Sequence, residues 1–178
     1  MEIEKMEKRE ISKSKNSEFP DSQFPESKIL RLHATCVAIK SHGVLLVGEP
    51  KSGKSDLALR LIDRGATLVS DDQVELTRDG DTITAHTPGN IAGLIEVRGV
   101  GIFKKKYQSK QQVHLVVQLN SKEAIERLPY PESFECMGIN IPQLRLCPFE
   151  ASSVIKIEMA IAALEDHSMM VGMLKDDE

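Results

Sequence analysis

Residues 48 to 55 read Gly-Glu-Pro-Lys-Ser-Gly-Lys-Ser, a glycine followed after four residues by Gly53-Lys54-Ser55. That is the spacing of a phosphate-cradling P-loop. Backbone N–H groups of such a loop, and of the helix it opens, converge on one anion, and the helix dipole adds to the attraction. Lys54 is placed to reach the β- and γ-phosphates of a nucleotide, and Ser55 to offer a hydroxyl to Mg²⁺. Gly48, Glu49, Pro50, Lys51, Ser52, Gly53, Lys54 and Ser55 together form the candidate nucleotide site. Two of them are unusual for such a loop. Pro50 fixes its φ near about −65° and removes one N–H from the cradle. Lys51 is either a solvated lysine or a second positive charge near the phosphates.

Asp71 and Asp72 stand 17 and 18 residues beyond Lys54, at the end of the apolar run Thr67–Ser70. Neighbouring acids on an extended strand point to opposite sides. One can then approach a metal while the other faces an acceptor hydroxyl. A third stretch, Leu94 to Phe103, carries Glu96 and Arg98 inside an otherwise apolar run, with Gly99 and Gly101 bracketing Val100. Charges in such a run usually have partners, and the glycines suggest close backbone approach or positive φ. The plainer alternative is an exposed edge strand with a bulge.

The elements that must position these residues are legible in outline. "RLHATCVAIK" and "GVLLVG" read as strands around a Ser-His-Gly turn, the second leading into the loop. Ser55 to Arg64 puts Leu57, Ala58, Leu61 and Ile62 on one helical face, with Gly65 as a stop. "ATLVS" and "VHLVVQL" read as strands, and "VELTRDGDTITAH" and "FECMGINIPQLRL" as hairpins. "SKEAIERL" reads as a short helix capped by Ser121, and "SSVIKIEMAIAAL" as a helix with Val154, Ile157, Ile161 and Leu164 in one stripe. The expected fold is α/β: a single P-loop-containing kinase domain, its mixed sheet carrying hairpins and flanking helices. The predicted domain covers residues 29–166, between a disordered tail over 1–28 and a C-terminal tail over 167–178.

The 178 residues suit one domain with one core. A net charge of −4 argues against nucleic acid or an anionic membrane as a partner. No apolar run approaches the ~20 residues of a membrane span, and the first residues lack the apolar stretch of a signal peptide. A cytoplasmic location is expected. The three cysteines form no Cys-x-x-Cys pair and read as reduced thiols packed as small core residues. His42, His86, His114 and His167 have no pairing spacing and read as structural.

Together, the loop, the Asp-Asp pair and Glu96-x-Arg98-Gly99-x-Gly101-Ile102 resemble the catalytic domain of the HPr kinase/phosphorylase family from about His33 to Leu164. The resemblance implies an ATP- and Mg²⁺-dependent protein-serine kinase, in a short version made of the kinase domain alone. Its implied substrate is an HPr-like phosphocarrier protein of the phosphotransferase system, and a homo-oligomer is implied as well. It places the proton acceptor on Asp72 with Asp71 beside it, and the metal glutamate on Glu96, followed by Arg98. It also places a catalytic histidine on His33, 15 residues before Gly48, and a further arginine on Arg127. A general base suits this chemistry, because an alcohol at neutral pH is a poor nucleophile. Other readings of the same loop are a small-molecule kinase and a non-catalytic ATP-binding sensor. The family's reverse, phosphorylase reaction depends on a Pro/Gly/Arg-rich segment before the last helix. Here that segment is "CPFEASS", which has no Lys or Arg and carries Glu150. Weak or absent reverse activity is therefore expected.

Overall fold

Short runs rich in Val, Ile and Leu form strands here, and the two stretches with apolar residues at helical spacing form helices. The computed structural model describes residues 28–169. Along the chain come β1 (Leu30–Leu32), β2 (Thr35–Ile39), β3 (His42–Val47), α1 (Lys54–Asp63) and β4 (Thr67–Ser70). Two hairpins follow, β5 (Val74–Asp79) with β6 (Thr82–His86), and β7 (Leu94–Val97) with β8 (Gly101–Lys104). Then come β9 (Lys110–Leu119), the hairpin of β10 (Glu132–Cys136) and β11 (Ile139–Leu146), and α2 (Ser153–Glu165).

Strand direction decides where the chemistry lies. β3 pairs parallel with β9, and β9 parallel with β11. β2 is antiparallel to β3, and β4 antiparallel to β2, so β4 runs the same way as β3, β9 and β11. Four strands therefore end, and β2 begins, along one edge. Ligands of open α/β sheets bind outside such carboxyl ends. β6 adds antiparallel to the early part of β9, and β5 and β1 continue from it, while β7 and β8 form a separate ribbon.

Alternation along β3 splits the core in two. Val44 and Leu46 face α1 and α2, meeting Leu57, Leu61, Ile157 and Ile161. Leu45 and Val47 face the other way, toward Leu76, Ile83, Cys136 and Ile141 of the two hairpins. The mixed α/β sheet with hairpins and flanking helices is the predicted architecture. Cys36 and Cys136 are buried, and burial pushes the Cys36 thiol up to about 12, which suits an inert core residue.

Four local expectations change. "RLHATCVAIK" is not one strand: it breaks at His33-Ala34, between β1 and β2. "SKEAIERL" forms only a 3-10 turn, Lys122–Ala124, and Ser121 makes no side-chain cap bond. Pro129 and Pro131 follow closely and disfavour continuation of a helix. The first hairpin turns on Gly80-Asp81, one residue later than the Asp79-Gly80 expected, because Asp79 still pairs with Thr82. Leu94–Phe103 is neither a straight strand nor a bulged edge but a hairpin, turning at Arg98–Val100 with Gly99 at φ +80°. Of the two expected tails, only Lys28 and the 3-10 turn His167–Met169 fall within the described residues. No described helix is long and apolar enough to cross a membrane.

His114 on β9 packs its ring edge against His42, with centroids 4.7 Å apart. Its Nδ1 accepts the Gly43 N–H at 3.2 Å, so this nitrogen carries no proton. Burial, then the neighbouring His42, holds the His114 pKa below the ordinary value near 6.5. The unfolded chain thus takes up this proton first as pH falls, and stability drops below about pH 6.5. Melting temperatures at pH 7.5 and 5.5 should differ less in His114→Gln than in the wild type. An unchanged difference would show that carboxylates alone carry the acid sensitivity.

Candidate active site

The loop Gly48–Gly53 closes β3 and opens α1. Gly53, the residue before the helix, sits at φ +92°, a conformation that suits glycine. No side chain caps α1, so its first-turn N–H groups stay available to an anion. Lys54 is buried and turned back on its own loop. Its Nζ donates to the carbonyl oxygens of Gly48 at 2.9 Å and Glu49 at 3.0 Å. Burial lowers its pKa, while Asp72, Asp71 and Glu49 pull it upward.

The two aspartates differ sharply. Asp71 is only 5% exposed, and its carboxylate is surrounded by donors. Oδ1 accepts from the hydroxyls of Thr35 and Ser55, each at 2.8 Å, and Oδ2 accepts the Glu96 N–H at 3.2 Å. One buried carboxylate thereby ties β2, α1 and β7 together at the end of β4. Asp72 is largely exposed and adopts φ +68°. Gln73 N–H donates to Asp71 O at 2.8 Å across it, making a γ-turn with positive φ, a rare and strained form. The acids do part to opposite sides, but through this turn rather than through strand alternation.

His33, at the break between β1 and β2, faces Asp72 from across the cleft. Its Nδ1 lies 2.9 Å from Asp72 O and 3.1 Å from Oδ1. Both are acceptors, so Nδ1 must carry the proton, and the ring thereby steadies the strained Asp72. Glu96 and Arg98 reach the same cleft from the β7–β8 ribbon. Among the described residues neither side chain makes an ion pair, contrary to the expectation of partners for them.

The resulting cleft has a volume of about 410 Å³, within the range of small-molecule sites. Of the eight loop residues, Pro50, Lys51, Gly53, Lys54 and Ser55 line it, whereas Gly48, Glu49 and Ser52 do not. Lys51 sits exposed on the rim at φ +67°. His33, Asp72, Glu96 and Arg98 line the cleft, and Asp71 lies beneath it, bonded to Ser55. The structure does not bring Arg127 here: it lies exposed in a bend beyond the 3-10 turn. The helix that was to aim it does not form.

Comparison with known proteins identifies the family and its fold. The family model for the HPr Serine kinase C-terminal domain matches residues 26–176. The chain belongs to this family. It is 33% identical over 152 residues to the HPr kinase/phosphorylase of Caldicellulosiruptor bescii, covering 79% of this chain and 49% of that protein. It is 36% identical over 128 residues to the Bordetella pertussis HPr kinase/phosphorylase, covering 65% and 41%. The solved Hpr(Ser) kinase/phosphatase of Coxiella burnetii superposes with a TM-score of 0.65 at 27% identity, covering 78% of this chain and 96% of that one. The chain spans about half the length of the curated relatives it matches.

Within this HPr kinase domain, sequence reasoning missed Thr35 and Phe149. Thr35 is fully buried, and a polar residue inside the apolar run of β2 was its only signal. Phe149 stands in the segment between β11 and α2 and lines the cleft.

The contrast between the aspartates is measurable without substrate. Asp71→Ala leaves buried donors unmatched and should lower unfolding free energy by about 3 kcal/mol. Asp72→Gly relieves the positive φ and should raise stability by up to about 1 kcal/mol. Urea unfolding of both variants checks this; equal losses would contradict the division into a buried tie and a strained exposed acid.

Proposed function

We propose that this chain is an ATP- and Mg²⁺-dependent protein-serine kinase, acting in the cytoplasm on an HPr-like phosphocarrier of the phosphotransferase system. Residues 29–166 form its catalytic domain. The observation that carries this reading is the gathering of Lys54, Asp72 with His33, and Glu96 around one cleft, with Asp71 joining Ser55 to the Glu96 backbone.

The donor set suits the reactants. An uncapped helix N-terminus and a buried lysine favour a polyphosphate. The Ser55 hydroxyl and the Glu96 carboxylate are hard oxygen donors, which suits Mg²⁺ with retained waters. When bound, the metal would neutralise charge on the phosphates. Lys54 exchanges its two loop carbonyls for phosphate oxygens and stabilises the charge that develops in transfer. The exposed Asp72 carboxylate takes the proton of the attacking serine hydroxyl. As the serine oxygen bonds to the γ-phosphorus, the bond to the bridging oxygen breaks and ADP leaves. His33 positions Asp72, and Arg98 adds positive charge to the cleft.

Lys54→Ala should cut the transfer rate by about 10²–10³, and Asp72→Asn should abolish transfer while leaving ATP binding nearly intact. The readout is phosphoserine on an HPr-type phosphocarrier, mapped by mass spectrometry, alongside calorimetric ATP titration. Normal transfer by Lys54→Ala would overturn the loop assignment. ATP binding with no transfer to any phosphocarrier, even in the wild type, would favour the sensor reading.

The reverse reaction should be weak. It brings inorganic phosphate beside a phosphoserine, like charge against like, and the segment Cys147–Ser153 contributes no cation. Glu150 itself is not the obstacle. Its carboxylate accepts Lys156 Nζ at 2.5 Å with Lys122 at 3.7 Å, and it does not line the cleft. Phosphoserine-HPr incubated with millimolar phosphate and no ATP should release pyrophosphate far more slowly than the forward reaction runs. Comparable rates would show that a cation outside this segment, such as Lys51 in the cleft lining, supplies the missing charge.

A further inference from the structure

Phe149 is a large apolar side chain left 69% exposed, yet its backbone is firmly held. The Arg60 guanidinium, reaching over from α1, donates to the carbonyl oxygens on both sides of it, those of Pro148 and Glu150. Arg60 is itself steadied by Asp56 one turn earlier, at 3.0 Å. Ser153 Oγ donates to Cys147 O at 2.6 Å, and Ser153 N–H to Glu150 O at 3.1 Å, closing the segment onto the start of α2. The Lys156 ion pair fixes Glu150 on the far side. So many bonds around one exposed ring point to a use for the ring's position.

That position is against the phosphate loop. A methyl carbon placed on Gly53 would come within 3.0 Å of Phe149 Cε1 and Cζ. The ring therefore stands beside the last loop residue before Lys54, as a wall of the same cleft. The γ-phosphate must lie toward Asp72 for transfer. The remainder of the ligand then has other lining residues to meet, among them Pro50, Lys51, Asp56, Leu59, Val97 and Phe149. Phe149 is the one phenyl ring among them.

We propose that Phe149 is the stacking platform for the base of the nucleotide, held ready by the Arg60 clamp. The proposal rests on the nucleotide-binding reading of the loop and adds where the base lies. A preset aromatic face gains stacking without the entropy of ordering a free side chain. Stacking reads a π-face rather than a donor pattern, so the contribution belongs to the base and not to the phosphates.

Calorimetric titrations of wild type, Phe149→Ala and Phe149→Tyr with Mg-ATP and with inorganic tripolyphosphate test this directly. Thermal melts confirm that each variant is folded, as an exposed ring should allow. Phe149→Ala should weaken ATP binding between about fivefold and a hundredfold while tripolyphosphate binding changes less than about twofold. Phe149→Tyr should restore most of the ATP affinity. Equal weakening of both ligands would mean that the ring only shapes the loop at Gly53, and the proposal would fall. Unchanged ATP affinity in Phe149→Ala would overturn it as well, with the loop assignment still standing. A wild type that binds neither ligand would remove both readings together.

Discussion

The buried carboxylate of Asp71 is the contact on which the site depends. Carrying a carboxylate out of water costs several kcal/mol unless donors replace the lost solvent. Here the replacements come from three separate segments: the Thr35 hydroxyl of β2, the Ser55 hydroxyl of α1 and the Glu96 N–H of β7. Each donor satisfies the acid only if its own element is docked in place. Solvation of one buried charge is thus converted into the relative placement of the loop, the aspartate pair and the ribbon carrying Glu96 and Arg98.

Topology makes that convergence available. With β3, β4, β9 and β11 all ending along one edge, the Gly48–Ser55 loop, the aspartate pair and the Cys147–Ser153 segment emerge at the same edge of the sheet. Reversing any one strand would carry its segment to the opposite edge. The strain at Asp72 belongs to the same arrangement. Its neighbour must point inward to meet Thr35 and Ser55, and the chain must then turn within one residue to expose the second acid to the cleft. A γ-turn does this, at an expense of about 1–3 kcal/mol for the positive φ. The bond from Ser70 Oγ to Gln73 O at 2.5 Å braces the turn.

What could be read from the sequence followed the range of the forces involved. The P-loop, α1 and the hairpins rest on local spacing and turn chemistry, and both helices appear where their apolar stripes lie. The aspartate pair and the Glu96–Ile102 stretch were legible as a combination, since each alone is an ordinary polar turn or edge. The long-range facts were not legible. Thr35 looks like any strand threonine until Asp71 is beside it. The break at His33-Ala34 falls where His33 meets Asp72, a residue 39 positions away. Arg127 illustrates the converse: a helix expected from composition gives way to nearby prolines, and the arginine goes with it. Phe149 carried no spacing signal, because its place is set by Arg60, 89 residues earlier in the chain.

The lysine folded back on its own loop helps to hold that loop in shape. A buried ammonium with no partners would drive the loop open or lose its proton. Lys54 instead donates to two carbonyls of its own loop, so the cradle closes on itself. On the proposed reading, phosphate would exchange these neutral acceptors for anionic ones, and only the difference would contribute to affinity. A loop already closed in this way would need less of the proposed binding energy for its ordering. Phe149 packs against the same loop. Its ring rests on Gly53, and its flanking carbonyls are gripped by α1, the helix that this loop opens. The loop, the first helix and the segment before the last helix therefore behave as one preset unit. A substitution that loosens Arg60 should be felt at the Gly48–Ser55 loop, although Arg60 does not line the cleft.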